Sequence, residues 1–125
     1  MPLMETLMFL PRIKPFRPEE IEAQVLSMPF SLRAGDGIYF LCGSAHATQY
    51  ARGTLLEGSG DAYPPVAVVH LSADGVRLGQ RCTDEALRQA RELAEWLRST
   101  YDCSVYGDGI DYTDATRDTI EPLYS

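Results

Sequence analysis

The residues best suited to chemistry lie close together early in the chain. Leu41-Cys42-Gly43-Ser44-Ala45-His46 brings a thiol, a hydroxyl and an imidazole into one short segment. A thiol beside an imidazole is the raw material of nucleophilic catalysis: the base takes the proton, the sulfur attacks, and a third group orients the base. Ser44 with His46 offers the same chemistry through oxygen. His70, within Val68-Val69-His70-Leu71, is a second candidate base. A pocket formed by 42–46 and His70 would suit a small enzyme or a ligand-binding domain. The simpler reading of the same residues is a strand ending in a turn, with a strand histidine that is structural or solvated. Neither Gly-x-Ser-x-Gly nor a cysteine-protease signature occurs.

Other chemistries find less support. Cys42 and His46 have C-x3-H spacing, but a structural zinc site needs a second pair, and His70 and Cys82 stand twelve residues apart. Asp108-Gly109-Ile110-Asp111-Tyr112-Thr113-Asp114 has the look of a calcium loop, yet it lacks alternating oxygens, a sixth-position glycine and a late glutamate. Gly58-Ser59-Gly60 opens no helical pattern, and no Gly-Lys-Ser/Thr follows, so no phosphate loop is expected. The sequence therefore predicts no metal and no cofactor. Three cysteines, Cys42, Cys82 and Cys103, without close pairing read as free thiols.

Charge sets the class of partner. Eighteen acids against 11 bases leave a net charge of -7. Nucleic acid is thereby disfavoured, because phosphate binding needs clustered Lys and Arg. Solubility alone accounts for such a charge, and a basic protein partner is compatible with it. The acids concentrate late: Asp102, Asp108, Asp111, Asp114, Asp118 and Glu121 share their region with one base, Arg117. Tyr101, Tyr106, Tyr112 and Tyr124 are interleaved with them. Two readings fit. The carboxylates cap turns or a short C-terminal helix. Alternatively Asp108, Asp111, Tyr112, Asp114 and Asp118 form a recognition face, where tyrosine supplies rigid contact area and carboxylates steer a basic partner.

The elements that must position these residues are readable in outline. The 125 residues, 45% hydrophobic and 23% charged, suit one globular domain spanning 1–125. Residues 6–13 read as a first strand. Pro18 opens a helix whose apolar face is Ile21, Val25 and Met28, and Pro29 stops it. Gly35-Asp36-Gly37 is a turn, and 38–42 is an apolar strand. Residues 45–56 are ambiguous and are read here as a partner strand. Residues 57–65 have loop composition and are the expected mobile segment. Two strands, 66–71 and 76–78, flank Ser72-Ala73-Asp74-Gly75 and predict a hairpin. Thr83 caps a helix running to about Thr100, with Ala86, Ala90, Leu93 and Leu97 on one stripe. Residues 103–106 complete the set as a short strand. Hairpins beside incompletely alternating helices predict an α+β fold. The expected architecture is a single antiparallel or mixed sheet with two main helices packed on one face.

From Asp84 to Thr113 the chain carries three features in succession. A helix ends in Ala94-Glu95-Trp96-Leu97, then come Tyr101-Asp102-Cys103-Ser104-Val105-Tyr106 and Asp108-Gly109-Ile110-Asp111-Tyr112-Thr113. This stretch, about a quarter of the chain, resembles the C-terminal part of small α+β immunity proteins of bacterial toxin systems. The resemblance implies a non-catalytic, cytoplasmic inhibitor that neutralises a cognate toxin, a basic domain for instance, by binding it. The N-terminal residues predict neither a signal peptide nor a membrane span. A third expectation is a regulatory subunit that forms a homodimer through a sheet edge.

Overall fold

The structure, a computed structural model, describes residues 6–57, 66–79, 82–107, 110–111 and 113. It is an α+β fold built on one antiparallel sheet. The described elements are β1 (Thr6–Pro11), α1 (Pro18–Ser27), β2 (Ser31–Gly35), β3 (Ile38–Leu41) and α2 (Ala45–Glu57), then β4 (Ala67–Ser72), β5 (Gly75–Gly79), α3 (Asp84–Thr100), β6 (Cys103–Gly107) and β7 (Ile110–Asp111). The seven strands lie in the order β2-β3-β4-β5-β1-β6-β7. The first strand thus sits near the middle, between the predicted hairpin and the last long strand.

Alternation along the strands divides the sheet into two faces. On β1, Leu7 and Phe9 are fully buried while Met8 and Leu10 point the other way and are half-buried. In register beside them on the same inner face stand Val76 and Leu78 of β5 and Val105 of β6. This inner face packs against α1 through Ile21 and Val25, and against α3 through Ala90, Leu93 and Leu97. Each large apolar side chain fully buried there contributes roughly 1.5–3 kcal/mol relative to exposure. The inner face is therefore the main core of the protein.

Helix α3 forms where the sequence places it. Thr83 Oγ1 accepts a hydrogen bond from the Ala86 amide at 3.3 Å, and Asp84 and Glu85 occupy the first turn. Helix α1 begins at Pro18 with Glu19 and Glu20 in its first turn, and it ends before Pro29. Three aromatic rings close the core at one end: Tyr101 meets Phe16 edge-on at 5.0 Å and Trp96 at 6.0 Å between centroids.

Two sequence expectations need correction. Residues 45–56 are a helix, not a partner strand, and this third helix lies on the opposite face of the sheet from the other two. The physical cause is visible in hindsight. Ser44 caps the helix, its Oγ accepting from the Ala47 amide at 3.1 Å. Ala47 and Ala51, four residues apart, turn small side chains toward a second apolar cluster with Phe40, Cys42, Val66 and Val68. Alanine favours helix, but two alanines make too faint an apolar stripe to read against the polar residues around them. The strand at Ser31–Gly35 and the short one at Ile110–Asp111 were also not foreseen. Most of the expected loop at 57–65 lies outside the described residues.

Candidate functional site

The turn between β3 and α2 holds the residues first singled out for catalysis. Cys42 is fully buried in the cluster beneath α2. Burial pushes its thiol pKa up, against smaller downward contributions from a hydrogen bond with Thr48 and the charge of Arg52. A reactive cysteine needs the reverse, a thiolate favoured at neutral pH. Ser44 is occupied as the α2 cap. His46 is exposed in the first turn of α2 and borders a shallow groove with Tyr50, Val66, Thr83 and Glu85.

The turn is fixed from outside by one buried amide. Gln89, 7% exposed on α3, accepts from the Gly43 amide at 2.8 Å and donates through Nε2 to the Pro29 carbonyl. The Cys42 amide donates to the Phe30 carbonyl at 2.9 Å. Gly43 has φ +81°, and a Cβ there would stand 2.4 Å from the Ala86 amide nitrogen. Only glycine suits this approach of the turn to the start of α3. The small residues around Cys42 thus serve helix–sheet packing.

His70 does not join this group. On β4 it lies opposite Ile38 of β3, whereas Ala67 lies opposite Leu41, the residue before Cys42. Four residues of strand, roughly 13 Å, separate His70 from the level of Cys42. The structure therefore places Cys42 and His46 at one end of the sheet and His70 at the other, each near its own groove.

His70 instead belongs to an in-register row that crosses six strands of the outer face. Ile38 lies opposite His70, His70 opposite Arg77 of β5, and Arg77 opposite Met8 of β1. Met8 in turn lies opposite Tyr106 of β6, and Tyr106 opposite Asp111 of β7. Directly opposed side chains in such a ladder stand about 4.5–5.5 Å apart at Cβ. Helix α2 covers only the β2–β3–β4 part of this face, so among the described residues no helix packs over the outer face of β5, β1 and β6. A groove of about 430 Å³ opens there, lined by Met8, Leu10, Ile38, His70 and Arg77. Sequence reasoning missed this row because it depends on strand order. The one local signal was Gly75-Val76-Arg77-Leu78-Gly79, in which an arginine shares its face with two glycines.

Of the expected acidic recognition residues, Asp111 is placed at the end of the row. Its exposed carboxylate accepts from the Thr113 amide at 2.8 Å and from the Thr113 hydroxyl. Those two hydrogen bonds hold its pKa below the usual carboxylate range. Thr113 Oγ1 in turn accepts from the Val105 amide at 3.1 Å, tying the segment to β6. Asp111 thus caps a turn and also terminates the row. Asp108, Tyr112, Asp114 and Asp118 lie outside the described residues.

Cys82 and Cys103, like Cys42, form no disulfide, and burial raises both pKa values, that of Cys82 to about 11. Among the described residues no three of His, Cys, Asp and Glu gather as metal ligands, and no helix is long and apolar enough to cross a membrane. Compared with protein-family models, curated proteins and solved structures, the chain matches none. Among the described residues the chain is an α+β protein with one seven-stranded antiparallel sheet, three helices and an outer face that these helices half cover.

Proposed function

We propose that this chain is a non-catalytic protein-binding module, an immunity-type inhibitor that neutralises a cognate toxin by occluding it. The half of the outer sheet face that no described helix covers is its contact surface. One observation supports this above others: the row His70–Arg77–Met8–Tyr106–Asp111, which presents apolar, aromatic and charged side chains across adjacent strands with α2 standing to one side. A surface of this make-up fits protein recognition, where Tyr, Met and Arg are enriched. The rigid sheet beneath it keeps the ordering cost of binding small. Net charge of -7 favours approach of a basic toxin domain, and Asp111 supplies a carboxylate at the exposed end of the row. The chemistry is steric, with no bond made or broken.

The test begins with gentle purification of the full chain from its host, followed by mass spectrometry of what accompanies it. A stoichiometric partner that arrests growth when expressed alone, and is neutralised by the wild-type chain, is the expected result. A double variant, Met8→Glu with Tyr106→Ala, should fold normally and lose both capture and neutralisation. Full protection by that folded variant would remove the outer face from the mechanism. Recovery of the chain with no partner would shift weight to a self-associating subunit.

A further inference from the structure

We infer that the groove beside Arg77 is a carboxylate subsite, and that it receives an acidic side chain from an extended segment of the partner protein. This deepens the reading of the outer face as a partner surface and rests on it for the identity of the occupant.

Arg77 is the central residue of β5 on the outer face. Its same-face neighbours along the strand, Gly75 and Gly79, carry no side chains, and the Leu10 side chain leans over Gly75. Among the described residues no ion pair or hydrogen bond engages it, whereas Arg12, Arg17 and Arg33 each pair with an acid. His70 stands directly opposite on β4, adding a second nitrogen donor on the same face. Met8 stands opposite on β1, and Leu10 and Ile38 complete an apolar lining. Of the two acids at the groove, Asp36 is engaged by Arg33 at 3.0 Å, and Asp74 lies at the tip of the β4–β5 hairpin.

A guanidinium in a groove of mixed polar and apolar lining selects a planar carboxylate through its fork of donors. Charge complementarity therefore names the ligand chemistry. The remainder of the row names the source. Tyr106, opposite the groove-lining Met8, extends the contact surface beyond the groove, which suits a peptide with apolar residues beside its acid better than a small free anion. The net negative charge of the chain does not prevent this. Charges farther away than roughly 8 Å are screened at physiological ionic strength, while a contact pair is screened much less.

The test uses the full chain, uniformly 15N-labelled, titrated with acetyl-Leu-Glu-Leu-amide and with its glutamine counterpart. Saturable shifts at the Met8, His70 and Arg77 amides and at the Arg77 Nε–H are expected, with the glutamine peptide at least tenfold weaker. Arg77→Gln should abolish the response while leaving the rest of the spectrum in place, and Arg77→Lys should retain part of it. Equal binding of the two peptides, an unaltered response in Arg77→Gln, or shifts centred on Arg12 and Arg98 would overturn the subsite. Acetate binding as tightly as the glutamyl peptide would overturn its assignment to a peptide segment. The outcome is separable from that of the inhibitor reading. If the peptide fails while Met8→Glu with Tyr106→Ala still abolishes partner capture, the subsite falls and the partner surface stands. If the peptide binds at Arg77 but partner capture ignores every outer-face substitution, the subsite stands and the inhibitor reading falls.

Discussion

The two faces of the sheet are built from the same strands and do different work. The inner face carries Leu7, Phe9, Val69, Val76, Leu78 and Val105, all at or near zero exposure beneath α1 and α3. The outer face alternates with them residue by residue, yet among the described residues it is covered only where α2 lies over Phe40 and Val68. Beyond that helix it shows Met8, Arg77 and Tyr106. Stability thus resides on one side of each strand and recognition is proposed for the other. A single register shift would exchange them.

Core deletions should separate the faces most strongly. Phe9→Ala on the inner face should cost about 3–5 kcal/mol in denaturant unfolding, from lost burial and the cavity left behind. Met8→Ala, its neighbour on the outer face, should cost no more than about 1 kcal/mol, since the side chain is already half-exposed. Comparable losses would show that the outer face is sealed in solution.

The turn that joins the faces should respond next. Gly43→Ala forces an alanine to φ +81° against the Ala86 backbone. The backbone conformation alone should cost about 1–3 kcal/mol. Gln89→Ala should cost about 1–3 kcal/mol by leaving the Gly43 amide and the Pro29 carbonyl without their partner. If neither change matters, the turn is not held by α3.

Much of this was legible in the sequence, and the limits have physical causes. Helix α3 could be read in full because it carries a cap, an acidic first turn and a continuous apolar stripe within one segment. The β4–β5 hairpin was equally local, its Ala73-Asp74 turn closing between Ser72 and Gly75. Helix α2 was not legible, because the described residues that it turns to the sheet are two alanines and their partners Phe40 and Val68 lie elsewhere in the chain. The outer row was invisible for a deeper reason. Its members come from strands whose order, with β1 between β5 and β6, is settled by tertiary packing. His70 was noticed in the sequence, both as a candidate base for Cys42 and as a structural or solvated strand residue, but which end of the sheet it occupies depends on how β4 registers against β3. Asp111 was found, and its capping bond to Thr113 matches the quieter of the two readings given to it.

Alkali should act through the buried groups. The pKa of Cys82 is raised from 9.0 to about 11 and that of Tyr39 from 10.0 to about 12. Burial is the main cause in both, joined for Tyr39 by its hydrogen bond to Glu22 and for Cys82 by the charge of Asp84. A raised folded pKa means that the folded state holds its proton longer. The contribution is therefore intact below the unfolded value and lost as pH rises toward the folded one. Thermal unfolding midpoints should be insensitive to these groups up to about pH 8 and decline between about pH 9 and 12. A midpoint that holds through pH 12 would place both groups in water.

The smallest stability effect is expected where the functional effect is greatest. Arg77→Gln should change unfolding free energy by no more than about 0.5 kcal/mol, as for other exposed positions away from caps and cores. Any larger loss would make Arg77 a structural residue.

Hydroxyl-radical footprinting, with the partner present and absent, tests the outer face most directly, because Met8, Tyr106 and His70 all oxidise readily and lie in one row. Binding to the outer face should suppress labelling of all three, while Tyr50 on α2, 58% exposed, stays as reactive as before. Unchanged labelling of the row in a complex that protects Tyr50 or Phe30 instead would contradict it.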